Sequence, residues 1–245
     1  MSVASDTEAY YGRNDKARGL SRRAVDSARR SDQKETAALW QMEVALREAE
    51  VGNIVEARQQ AESALALASQ RDPQILGALV FARTGHSTQA AKMADDLAKR
   101  FPKDTLVNGY WLPSIRASIE IKRNNSDKAL EILEVSAPYE LGSPNPAPSV
   151  GTPLYPIYVR GQAYLKLRKG KEAAAEFQKI IDHRGLVINL MTGVLAHLGL
   201  ARAYVLQGDT AKARTKYQDF LNVWRDADNA IPILKEAKLE YAKLQ

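Results

Sequence analysis

The chain has 245 residues, 45% hydrophobic and 26% charged, the balance of an ordinary folded protein. It has no cysteine, which excludes disulfides, thiolate catalysis and cysteine-ligated zinc. A formal charge of +6 permits an acidic partner but is too small to argue for nucleic acid without a focused patch.

In chain order, the first expected element is a leading helix over about 7–30, with Ala17 and Ala24 on its packing face. Its natural partner would precede residue 1, as though the chain were cut from something longer. Five helical hairpins follow, at about 34–68, 73–101, 105–137, 153–183 and 190–225. Their turns carry breakers: Gly52-Asn53, Gly85-His86, Asn124-Asn125 and Gly208-Asp209-Thr210. Pro73 and Pro102 sit at hairpin borders, where a missing N–H costs little. Two interruptions, Pro138–Pro153 and His183–Asn189, read equally as tolerated surface insertions or as loops able to fold over an open groove. A capping helix at about 231–244 places Leu234, Ala237, Tyr241 and Leu244 on one stripe, towards the last hairpin, with charge turned to water.

A small residue followed twelve positions later by alanine recurs five times: Ala45/Ala57, Ala78/Ala90, Ala117/Ala129, Gly161/Ala173 and Ala201/Ala213. The first two turn glycines, Gly52 and Gly85, lie 33 residues apart. This pattern resembles the tetratricopeptide repeat, in which small residues mark where two helices touch. The expected fold is therefore all-α, an α-α superhelix read as a single elongated domain, each repeat burying its apolar face against its neighbours.

In such a superhelix the first helix of each hairpin lines the concave face. That register nominates Trp111, Ser114, Ser118 and Lys122 from one hairpin and Tyr155, Tyr158, Gln162 and Lys166 from the next, flanked by Arg83 and Arg202. Aromatic faces beside cationic tips suit a peptide or protein partner that is acidic or ends in a free carboxylate. Trp111 and Tyr155 equally suit packing beneath the Pro-rich loop.

The pattern for catalysis is missing. His86, His183 and His197 are far apart in sequence, and no G-x-S-x-G, H-E-x-x-H or phosphate-cradling loop occurs. No enzyme activity, cofactor or metal is expected. The arginines of LSRRAVDSARRS alternate with aspartates and lack interleaved aromatics, so they read as a solvated face and not as a nucleic-acid platform. No run approaches the ~18 apolar residues of a membrane span, and the polar N-terminus is unlike a signal peptide.

Several strings, among them KRFPKDTLVNGYWLPSIRASIE, APYELGSP, LYPIYVRGQAYL and the ending WRDADNAIPILKEAKLEYAKLQ, are similar to the C-terminal tetratricopeptide regions of large bacterial serine/threonine protein kinases of the acidobacterial type. The resemblance implies a kinase domain, usually a membrane span, and then this array as sensor or scaffold. The chain itself lacks the glycine-rich loop, H-R-D loop and D-F-G of a kinase. The array would lie outside the cytoplasm if it follows such a span, and in the cytoplasm otherwise. Two alternatives stand beside the partner-binding reading: a self-assembly element forming a homodimer through the unpaired leading helix and the cap, and a small-ligand site under the Pro138–Pro153 loop.

Overall fold

Each pair of small residues twelve apart is buried where two antiparallel helices touch. Ala45, Ala78, Ala117 and Ala201 and their alanine partners are fully buried. A Cβ on Gly161 would lie 2.8 Å from the Phe177 ring, so only glycine lets that ring in. In the computed structural model, which describes residues 2–142 and 153–245, these contacts organise six hairpins. They are α1 (Ser2–Tyr10) with α2 (Asn14–Arg30), α3 (Lys34–Glu50) with α4 (Ile54–Leu67), and α5 (Arg71–Arg83) with α6 (Ser87–Arg100). The next is α7 (Leu112–Lys122), preceded by a π-helical turn at Val107–Trp111, with α8 (Ser126–Leu133). Then come α9 (Tyr155–Lys166) with α10 (Gly170–Asp182), a short α11 (Arg184–Val187), α12 (Met191–Leu206) with α13 (Thr210–Val223), and finally α14 (Pro232–Ala242). The first helices α3, α5, α7, α9 and α12 pack on one another in series, and each second helix packs on the first helix of the next hairpin.

The turns share one geometry. Gly12, Gly52, Gly85, Asn124, Arg168 and Gly208 all have positive φ, and each lies seven residues after its small position. The following residue donates to a carbonyl five back, as His86 does to Phe81 at 2.9 Å and Asn125 to Glu120 at 2.8 Å. This is the Schellman closure, which satisfies carbonyls that a helix end leaves without partners. Asp209 also caps α13, its side chain accepting from the Lys212 N–H at 3.0 Å.

Two segments differ from their expected form. The leading helix is two helices, broken at Tyr11-Gly12-Arg13, because Ser5 and Ala17 repeat the twelve-residue spacing and Gly12 takes the left-handed turn position. Residues 2–10 thus supply the partner expected before residue 1, and the unpaired helix that motivated a homodimer is paired. Within His183–Asn189 a short helix, Arg184–Val187, tucks Val187 against Gly193, while His183–Leu186 and Ile188 stay exposed, so the segment sits on the surface and does not fold over a groove. The loop expected at Pro138–Pro153 falls largely outside the described residues.

The chain closes from end to start. The Trp224 indole donates to the Tyr10 carbonyl at 2.9 Å, and the Asp228 N–H donates to the Gly12 carbonyl at 3.0 Å. The Asp228 carboxylate accepts the Asp15 N–H at 2.8 Å, satisfying a donor at the start of α2 from 213 residues away. Ile233 N–H donates to the Val51 carbonyl, which seats the start of α14 against the turn after α3.

Candidate functional site

Because the array curls until its ends meet, side chains from opposite inner faces touch each other. Glu50, five residues after the small position of α3, forms a two-pronged pair with Arg83, both contacts at 2.8 Å. Arg83 also donates to Gln162 at 2.6 Å, and Tyr155 Oη donates to Glu50 from three hairpins further along the chain. The Tyr158 ring lies 5.9 Å from the Arg83 guanidinium. Burial first, and then the Glu50 carboxylate, push both phenols well above the ordinary tyrosine range, so they stay protonated. The middle of the concave face is therefore filled by the chain's own polar network.

This closure separates the nominated residues into two sets. Trp111, Ser114, Ser118, Tyr155 and Tyr158 are buried, so the aromatic anchors expected on an open groove belong to the core instead. Ser114 donates to the Tyr110 carbonyl at 2.7 Å. Tyr110 in turn accepts the Tyr155 N–H at 3.0 Å, which fixes the start of α9. Arg83, Lys122, Gln162, Lys166 and Arg202 converge on one cleft of about 500 Å³, with Glu236 and Glu240 of α14 on its far wall. Five of the ten nominated residues thus share a site.

The cleft is electrostatically uneven. Arg202 holds Glu240 through two contacts of 2.9 Å and Glu236 through one of 3.3 Å, while Tyr217 donates to Glu240 at 2.8 Å. Lys122 and Lys166 make no ion pair among the described residues. Desolvation first, and then the charges of Arg83 and Lys166, lower the Lys122 pKa below the ordinary lysine value, although Glu50 opposes this. An apolar cleft of about 370 Å³ adjoins on the other side of the Arg202–Glu240 pair, lined by Leu165, Val205, Leu206 and Leu244 among others. Glu50, Glu236 and Glu240 were not foreseen. Glu50 shares the register of Arg83, Lys122 and Lys166, so that signal was present; α14 lies outside the repeat, so the other two had none.

Among the described residues no group of three or more His, Asp or Glu side chains could hold a metal. No described helix is long and apolar enough to cross a membrane.

Residues 195–227, most of α12 and all of α13, match the tetratricopeptide repeat family. The chain is an all-α superhelix, one stretch of which is similar to a tetratricopeptide repeat. The crystal structure of yeast Tom70 superposes with a TM-score of 0.53 at 17% identity, over 90% of this chain and 42% of that one. This superhelix thus spans less than half of the Tom70 chain it matches, and the likeness is one of fold. A tetratricopeptide repeat protein from Parabacteroides merdae ATCC 43184 aligns at 17% identity over 86% of this chain and 73% of that one, with a TM-score of 0.46. No curated protein matches the sequence.

Proposed function

We propose that this chain is a non-catalytic protein-interaction module that takes an acidic segment, or a free carboxylate, of a partner in the cleft lined by Arg83, Lys122, Lys166 and Arg202. The observation that carries it is the pair Lys122 and Lys166. Arg83 and Arg202 are ion-paired to the carboxylates that reach this cleft, whereas these two lysines form no ion pair among the described residues. An anion placed there relieves like-charge repulsion and supplies charge-assisted hydrogen bonds.

The test is titration of a fluorescein-labelled oligoglutamate peptide with a free C-terminus into the chain and its Lys122→Ala/Lys166→Ala variant. The double change weakens binding about tenfold or more, about 1.4 kcal/mol, with the helical circular dichroism unchanged. Equal affinity for the two chains sinks the assignment. Binding also weakens as pH rises through the lowered Lys122 pKa, because the neutral amine no longer attracts the anion.

The likeness of several strings to kinase-linked arrays supports placing the module in a larger bacterial signalling protein. Sequencing the gene upstream of these codons tests that placement. A kinase domain and a span of about 20 apolar residues support it, and an ordinary start site opposes it.

A further inference from the structure

The final helix packs its apolar stripe inward and its lysines outward, and it also reaches across the inner face. Leu234 and Ala237 are buried, Leu239 is 67% exposed, and the helix enters against Val51 of the distant α3–α4 turn. Its carboxylates at 236 and 240, one helical turn apart, point to Arg202 on the inner face of α12. Leu244 lines the apolar cleft, and Glu240 stands between the apolar and the cationic clefts. A helix with two acids and an apolar stripe is therefore already seated on this face. The cations Lys122 and Lys166 lie just beyond its acids.

We propose that this face is a helix-binding site, that its partner is an acidic amphipathic helix with carboxylates one turn apart beside leucines, and that α14 is the resident copy such a partner displaces. The inference rests on the cleft reading above and adds the form of the partner. The chemistry is complementary on both sides: bidentate carboxylate to Arg202, further acids to the two unmatched lysines, and leucine into the gap between Leu165 and Val205. α14 is suited to be displaced because few of its side chains are buried and its acids are partly exposed, at 63% for Glu236 and 33% for Glu240.

The experiment uses the full chain and a fluorescein-labelled peptide with the sequence of residues 229–245. Glu236→Gln/Glu240→Gln in the chain loosens the resident helix while the peptide keeps both acids. The peptide binds this variant at least fivefold more tightly than the unaltered chain, and amide exchange across 232–242 rises in the variant. A peptide carrying glutamine at both acidic positions loses that gain. Equal affinity for both chains, or equal binding of the glutamine peptide, overturns the inference even where oligoglutamate still binds the cleft. Adding Lys122→Ala/Lys166→Ala to the variant separates the two readings. If the fivefold gain survives unchanged, the helix site stands on Arg202 and the lysine assignment fails.

Discussion

Glu43 shows what closing the superhelix asks of single residues. One of its carboxylate oxygens is buried with no hydrogen-bond partner among the described residues, beside Asp6 and Arg47. Arg47 is already committed to Asp6, to Ser5 at 3.0 Å and to Ser21 at 2.8 Å. Burial, and then the Asp6 charge, therefore push Glu43 well above the ordinary carboxylate range. A raised carboxyl pKa means that the folded state holds a proton which the unfolded chain releases. The favourable contribution is full below the unfolded pKa and is lost as pH rises through the folded one. Glu43→Gln removes that loss. We expect the variant to gain about 1 kcal/mol or more at pH 8, about 2–4 °C in Tm for a chain of this size. The gain shrinks towards pH 5, and thermal melts across that range check it; a gain that does not vary with pH refutes the account. Arg83 is the opposite case. Its charge is met by Glu50 of the neighbouring hairpin, which shares its register, whereas Gln162 and Tyr158 arrive from two hairpins further along the chain, a contact no local pattern encodes.

At the scale of elements, most helices were legible because small residues and turn formers recur at a fixed spacing. The first hairpin escaped because serine, not alanine or glycine, occupies its small position. Ser5 is nonetheless fully buried and donates to the Ala17 carbonyl at 2.9 Å across the hairpin. Gly12 identifies the same turn, with φ of +73°. A Cβ there would sit 2.4 Å from Ala227 Cβ, whereas one on Gly85, at φ +85°, meets nothing within 4 Å. Both glycine-to-alanine changes carry the left-handed backbone penalty of about 1–2 kcal/mol, and Gly12→Ala adds the clash with the 224–228 segment. Urea denaturation of the two variants should rank Gly12→Ala as the more destabilising by at least about 1 kcal/mol. Equal midpoints would mean that the closing segment yields without cost.

The whole molecule departs from the arithmetic of an open solenoid. In an open array each repeat contacts only its neighbours, so a change at one end leaves the other end untouched. Here Trp224 is buried, its ring centroid 4.7 Å from that of Phe220, and its indole reaches the first hairpin through Tyr10. Asp228 holds both the Gly12 carbonyl and the start of α2, and the entry to α14 holds the second hairpin. Closure explains why the centre of the concave face is filled while a cleft beside α14 stays open, since opposite walls are brought within reach of Tyr155 and Glu50. It was not legible because no local pattern encodes the number of repeats needed for the ends to meet. Trp224→Ala tests the consequence. Burial of the indole is worth about 3–5 kcal/mol, and its loss releases the first hairpin as well as the last. Hydrogen exchange should therefore accelerate across residues 2–13, more than 200 positions away in sequence, as well as in α13 and α14. Exchange that quickens only in the last hairpin and α14 would return the molecule to an open array. The partner site would then have to be sought along its whole inner face.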